Sequence, residues 1–268
     1  MALIQPGIYA AVVELLAGRE RGALCTVVAT EGSVPGKLGA KMLLWPDGRQ
    51  LGTVGGAGLE EQVRDLALTA IQTGQGGTHR FTLATWAPGG LNSICGGIVE
   101  VYVEVLTPPP HLLLCGGGHV AQAMARFCAP LDYRYSVIED RPEFLTPELF
   151  PGAVGRHLGT PDSLFPALDL SPYSDIYLLG YSWELDAAWL TEILPRFDGF
   201  VGLIGSKTKC ETTRRTLQEQ GMSDTDLARL TCPIGLMIGA ESPAEIAIAV
   251  LAELIQRTKA STPAPPPA

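Results

Sequence analysis

The chain is short of positive charge: 19 lysines and arginines face 28 aspartates and glutamates, a formal charge of −9. It therefore lacks the basic footprint that neutralises phosphate backbones, which argues against nucleic acid as a partner. Uncharged apolar runs are also missing at the ~18 residues that a membrane span needs. The first residues have no basic n-region and no small-residue cleavage site, and Ile8, Ala11, Val12, Leu15 and Leu16 recur at helical spacing. An amphipathic helix is expected there, not a signal peptide, and the protein is expected to be soluble and cytoplasmic. The six cysteines (Cys25, Cys95, Cys115, Cys128, Cys210, Cys232) contain no C-x-x-C pair and no Cys/His set at finger spacing. A zinc ribbon or small disulfide scaffold is excluded on that ground, and reduced thiols are the expectation. Neither a Ser/His/Asp set nor an acid–base pair of the His–Asp or Tyr–Lys kind stands out, so no catalytic residue is assigned.

What is present is a core-forming composition. Hydrophobic residues make up 46% of 268 positions, enough for one large or two modest domains at about 150 residues each. The 31 glycines and 21 prolines follow no period and point to many tight turns. Thr107-Pro108-Pro109-Pro110 is the clearest seam, because consecutive prolines neither donate to a sheet ladder nor continue a helix. It divides the chain into domains 1–107 and 108–260, leaving the STPAPPPA tail, 261–268, expected to be disordered.

Before the seam, strands are read at Leu24 to Ala29, Ala40 to Trp45 and Gln50 to Val54. A helix follows Gly58, and Ile98 to Leu106 alternates as a strand with one wet face. This is a small α+β domain. After the seam, strands at His111 to Cys115, Tyr135 to Ile138, Ile176 to Leu179 and Gly199 to Ile204 alternate with helices. The helices are read at His119 to Cys128, Leu185 to Leu194 and Lys207 to Gln220, with a final one after Ser242-Pro243-Ala244-Glu245. Such alternation implies a doubly wound parallel sheet of Rossmann-like type, so the fold class is α/β.

The strongest motif is Gly116-x-Gly118-x-x-Ala121, placed after an apolar strand and at the start of a helix. Gly116 permits the turn, Gly118 lets backbone approach a pyrophosphate, Ala121 lets helix pack on strand, and His119 stands at the mouth. Glu139 and Asp140 end the next strand, where acids accept hydrogen bonds from ribose hydroxyls. The structural alternative is a tight strand–helix turn with no nucleotide. Gly52-Thr53-Val54-Gly55-Gly56 before a helix is a second anion-friendly turn, equally readable as a chain reversal. Gly205-Ser206-Lys207-Thr208-Lys209 is a third; it is not a P-loop, and its lysines oppose the helix dipole unless an anion faces them. Cys95, beside Gly96 and Gly97, is a thiol open to a large group, although most single cysteines are packing residues.

Together these stretches resemble the xanthine dehydrogenase accessory proteins of the XdhC/CoxI type. The resemblance runs through Gly32-Ser33-Val34-Pro35, Gly39-Ala40-Lys41-Met42, Gly52 to Gly56 with Leu59-Glu60, Cys95-Gly96-Gly97 and Gly116 to Ala121. It continues through Asp140-Arg141, Gly202 to Lys209 and Pro233 to Ala247, in the family's order. It implies a carrier that binds molybdenum cofactor (molybdopterin), holds it during sulfuration, and delivers it to a xanthine dehydrogenase-type molybdenum hydroxylase without turnover of its own. A cysteine desulfurase-type sulfur donor and a homodimer are the other implied partners. The positions that the resemblance marks are Ser33, Lys41, Gly55, Gly56, Glu60, Cys95 and Gly96 in the first domain, with Cys95 as a possible molybdenum ligand. In the second they are Gly116, Gly118, His119, Asp140, Gly205, Ser206 and Lys207. The chain departs from the family pattern at Gly36-Lys37, at Gly180 to Asp186 where histidines are common, and at Met237. An NAD(P)-dependent oxidoreductase or a dinucleotide sensor using the Gly116–Ala121 turn is the alternative function.

Overall fold

A computed structural model describes residues 6–83 and 96–260. The chain divides into two compact units, one running to Pro108 and taking in the chain from Thr258, the other Pro109–Arg257. Cys95 and the tail 261–268 lie outside the described residues.

The first unit contains helices α1 (Pro6–Ala17) and α2 (Ala57–Thr73) and strands β1 (Gly22–Glu31), β2 (Lys41–Leu44), β3 (Gln50–Gly52), β4 (Gly77–Thr82) and β5 (Ile98–Leu106). All neighbours in the order β3-β2-β1-β5-β4 are antiparallel. Strand period two separates two cores. Cys25, Val27, Met42, Val99, Val101 and Val103 meet Leu59, Val63, Ala67 and Ile71 of α2. On the other face Leu24, Leu43 and Leu106 meet Ile8, Ala11 and Leu15 of α1. Tyr102 and Glu104 of β5 stay exposed, the wet face that alternation predicts. Gly74 ends α2 in the left-handed region, its N–H donating to the Ala70 carbonyl. Strand β4 escapes sequence reading because it is an edge strand whose residues are mostly polar, with only Phe81 buried.

The second unit is built on six parallel strands: β6 (His111–Cys115), β7 (Arg134–Glu139), β8 (Gly155–Leu158), β9 (Asp175–Leu178), β10 (Phe200–Leu203) and β11 (Leu230–Thr231). Their spatial order, β8-β7-β6-β9-β10-β11, is the 3-2-1-4-5-6 order of a Rossmann fold, with the direction of winding reversing between β6 and β9. Its helices are α3 (His119–Cys128), α4 (Pro161–Leu164), α5 (Trp183–Ile193), α6 (Lys207–Glu219), α7 (Asp224–Ala228) and α8 (Pro243–Ala260). One sheet face, with Leu113, Ile176, Leu178, Val201 and Leu203, packs on Trp189, Leu190 and Ile193 of α5 and Leu217 of α6. The opposite face, with Leu112, Leu114, Val137 and Tyr177, packs on Ala121 and Met124 of α3 and Val250 and Leu254 of α8. Burial on both faces explains why Leu112 to Cys115 reads as an unbroken apolar run. Strands β8 and β11 lie at the two edges, too short and too polar to announce themselves in the sequence.

The expectation of reduced thiols is corrected for one pair: Cys210 of α6 and Cys232 form a disulfide, with Cα atoms 5.6 Å apart. Separation by 22 residues gave no signal; the return of the chain through α7 and β11 brings them together. Cys25, Cys115 and Cys128 are buried free thiols, and burial pushes Cys25 and Cys128 up to about 12. They are packing residues at neutral pH.

At the start of β6, His111 is buried, with Nε2 3.2 Å from Ser136 Oγ and its ring tilted against Tyr173 at 4.6 Å. Burial, reinforced by the Arg134 guanidinium, pushes this imidazole down from 6.5 to about 4. The unfolded chain therefore takes up a proton on acidification before the folded one does. Folding stability from this group is complete above pH 6.5 and is expected to decline by about 3 kcal/mol as pH falls to 4. Urea unfolding of His111→Gln across that range should show a flatter profile than the parent; an unchanged slope would contradict the assignment.

Candidate functional site

The C-terminal ends of β6 and β9, where the winding reverses, carry the turn that the sequence singles out. Its three glycines have different reasons to be glycine. Gly116 has φ +116°, and a Cβ there would lie 2.8 Å from the Leu179 carbonyl oxygen. A Cβ on Gly117 would strike the Phe144 carbonyl oxygen. Gly118 caps α3 with an ordinary φ of −68°, and a Cβ there would meet nothing within 4 Å. Neither its conformation nor its neighbours require glycine; what it preserves is open space at the first turn of α3, whose amides point outward. Behind it, Ala121 is fully buried against the sheet, and Gln122 Nε2 donates to the Gly117 carbonyl at 2.9 Å. His119 is exposed at the first position of the helix.

Glu139, the last residue of β7, is buried, and its carboxylate holds the turn. It accepts from the Gly117 amide at 2.7 Å, from Arg141 Nε and Nη2 at 2.9 and 3.0 Å, and from the Asp140 and Arg141 amides at 3.1 and 3.2 Å. Burial alone would raise this carboxyl, but the hydrogen bonds from Arg141 and the backbone outweigh it and hold it well below the usual range. Five donors fill the roughly four acceptor positions of a carboxylate, so Glu139 has none left for a ribose. Asp140 is pushed up by the adjacent Glu139 carboxylate, and its Oδ2 accepts from Tyr181 Oη at 3.0 Å. The Arg141 guanidinium lies over the rings of both Phe144 and Tyr181, at 4.2 and 4.0 Å.

The structure also assembles an ion pair that no motif announced. Asp186, in the first turn of α5, is 1% exposed, and its Oδ2 accepts from Lys209 Nζ of α6 at 2.6 Å. Burial raises the Asp186 carboxyl, opposed by the Lys209 ammonium. Gly180 and Gly205 each stand two residues past a strand end and make room for the pair: a Cβ on Gly180 would collide with Asp186 and one on Gly205 with the Lys209 stem. The available sequence signal was a lysine in a first helical turn, against the dipole; the anion it faces is intramolecular. Ser206 is committed to capping α6, accepting from the Lys209 amide, and Lys207 is exposed. Asp186 lines a crevice with Cys115, Gly116, Ile138, Glu139, Asp140, Gly180, Tyr181, Leu185 and Trp189.

In the first unit, Gly55 and Gly56 precede α2, with Gly56 as its cap. Glu60 accepts from Gln50 Nε2 at 2.5 Å and from Thr53 Oγ1, so it braces this turn from within. Lys41 Nζ donates to Thr26 Oγ1 on the neighbouring strand at 2.9 Å. Ser33 is exposed, and Gly96, with φ +73°, donates its N–H to the Leu83 carbonyl. Among the described residues no three His, Cys, Asp or Glu side chains converge as a metal site, and no helix is long and apolar enough to cross a membrane.

A buried pair of this kind is weak evidence for stability, whereas breaking it strands a charge. Lys209→Met is expected to cost about 3 kcal/mol, and adding Asp186→Asn to it should recover most of that loss in chemical denaturation. Equal losses in the single and double variants would contradict the pairing.

Comparison with known proteins agrees with this fold. A model of the XdhC Rossmann domain matches residues 112–254, and one of the XdhC and CoxI family matches residues 15–82. The uncharacterized protein YqeB of Escherichia coli strain K12 is 34% identical over 235 residues, 87% of this chain and 43% of that protein. A Bacillus subtilis strain 168 protein named as a probable xanthine dehydrogenase subunit is 27% identical over 160 residues, 60% of this chain and 46% of that protein. The chain thus spans less than half the length of these curated relatives. A crystal structure described as a xanthine dehydrogenase from Bacillus halodurans shares the fold, with TM-score 0.52 and 22% identity over 96% of this chain and 97% of that one. With both family models placed in order along it, the chain belongs to the XdhC family.

Proposed function

We propose that the protein binds molybdenum cofactor, holds it while its sulfurated form is made, and delivers it to a xanthine dehydrogenase-type molybdenum hydroxylase, with no turnover of its own. Family membership and the Bacillus subtilis relative, with its xanthine dehydrogenase name, support a role in maturing that enzyme. The observation that carries the reading is Gly118: open space at a helix N-terminus, in a turn whose other two glycines are consumed by packing. A pterin phosphate is an anion of the size and charge that such backbone amides take. The cofactor is cargo, so the Gly116–Ala121 turn and His119 have only to bind and release it. On this reading 1–107 and 108–260 are the two functional domains. The Gly55–Gly56 turn is a second contact, Cys95 is the candidate molybdenum ligand, and the chain works as a cytoplasmic homodimer with a cysteine desulfurase-type sulfur donor.

A nicotinamide dinucleotide is the second reading, favoured by the strand order and by Gly116-x-Gly118-x-x-Ala121. Glu139 counts against it, since all its acceptor positions are used within the protein. Anaerobic incubation with molybdenum cofactor, and separately with NAD(H) and NADP(H), followed by desalting, tests both. Retention of molybdenum and pterin in equal amounts is the expected result. Retained nucleotide without molybdenum or pterin would overturn the carrier reading in favour of the dinucleotide.

A further inference from the structure

The Cys210–Cys232 disulfide has two unlike ends. Cys210, in the first turns of α6, is 4% exposed. Cys232, directly after β11, is only partly buried, at the margin of the core cluster that holds Leu217, Leu227 and Leu230. A nucleophile arriving from solvent therefore meets the Cys232 sulfur and expels Cys210. The surroundings of Cys210 suit the sulfur it leaves behind. It lies near the N-terminus of a 13-residue helix, where the partial positive charge of the backbone favours a thiolate. One turn on, Arg214 donates to the Leu227 carbonyl at 2.7 Å and to the Leu230 carbonyl, which sets a guanidinium against the strand leading to Cys232. The buried stripe of α6 is Cys210, Thr213 and Leu217. Thr213 is 0% exposed, and its Oγ1 has no hydrogen-bond partner. Valine would fill the same volume without an orphaned hydroxyl, so a purely structural bond between α6 and β11 gives no reason for threonine there. Three residues along a helix put Thr213 on the face of Cys210, and opening of the disulfide gives its hydroxyl an acceptor, the Cys210 thiolate.

We propose that Cys210–Cys232 is a thiol-exchanging disulfide: a small thiolate attacks Cys232 Sγ, Cys210 leaves as a thiolate held by Thr213, and the incoming sulfur stays bonded to Cys232. One S–S bond breaks and one forms. The electron pair of the broken bond goes to Cys210, the attacking sulfur is oxidised as Cys210 is reduced, and no further oxidant or reductant enters. With hydrosulfide as the nucleophile the adduct is a persulfide on Cys232; with glutathione it is a mixed disulfide. Return of Cys210 onto the inner Cys232 sulfur expels the guest and remakes the starting bond. Because the core partly covers Cys232, the one-atom nucleophile is favoured over the tripeptide. The inference goes beyond the carrier reading and needs no cofactor.

The full chain with the bond closed is exposed under native conditions to hydrosulfide or to reduced glutathione, quenched with excess iodoacetamide in urea, and mapped by peptide mass spectrometry. The expected product carries the added sulfur on Cys232 and the alkyl group on Cys210, with hydrosulfide reacting faster than glutathione at equal thiolate concentration. In the glutathione adduct Cys210 is the newly released thiol, so the absorbance gained on opening, followed against pH, reports its ionisation. Thr213→Val is expected to lower the equilibrium constant for opening about 10-fold and to move that ionisation to higher pH, while Thr213→Ser, which keeps the hydroxyl, behaves as the parent. A threonine that only packs would leave the ionisation where it is. A bond that stays closed in both reagents until the protein is unfolded would overturn the proposal, as would an adduct on Cys210 or identical behaviour of Thr213→Val and the parent. Faster reaction with glutathione would uphold the exchange and identify the larger thiol as its source. Retention of molybdenum cofactor on desalting is read separately, so failure of the exchange leaves the carrier reading standing, and failure of the carrier reading leaves the exchange.

Discussion

The buried carboxylate of Glu139 is the point on which the sheet crest depends. It closes β7, fixes the Gly117 amide of the neighbouring turn, and neutralises Arg141, whose guanidinium in turn supports Phe144 and Tyr181. Removing that carboxylate would free the Gly117 amide and take from Arg141 its nearest partner, so the geometry of the turn is set by a residue whose own acceptor positions are filled. A Rossmann dinucleotide site reads the ribose with a strand-end acid; Glu139 spends its acceptor positions within the protein instead.

Around that anchor the crest divides into two electrostatic environments. At α3, backbone amides face open space and favour an anion. Beside β9 and β10, Asp186 and Lys209 cancel most of each other's charge in a buried ion pair.

Much of this architecture was legible in the residues. Apolar runs fixed β5, β6 and α3 to the residue, because each is long or flanked by glycine and proline punctuation. The alternation after the triproline gave the parallel sheet. Strands β4, β8 and β11 were not legible: they are edge strands with mixed polarity, specified by their neighbours. The site was legible only where a motif is local. Gly116-x-Gly118-x-x-Ala121 is contiguous, whereas Asp186 and Lys209 are 23 residues apart and meet because successive strands of one sheet bring their helix starts together. Glu139 and Asp140 were identified as acids at the right place, but nothing in the sequence told that internal donors, Arg141 and Tyr181 among them, already occupy them. The Cys210–Cys232 bond is a further product of that long-range return.

The central claim is that Gly118, unlike the two glycines before it, is glycine for the sake of a ligand. The most direct measurement compares Gly117→Ala and Gly118→Ala for Tm and for retention of molybdenum cofactor after desalting. The account predicts that Gly117→Ala unfolds several degrees lower because its Cβ meets backbone, while Gly118→Ala keeps its Tm and loses the cofactor. A Gly118→Ala protein that melts as early as Gly117→Ala, or that melts normally and retains cofactor like the parent, would contradict it.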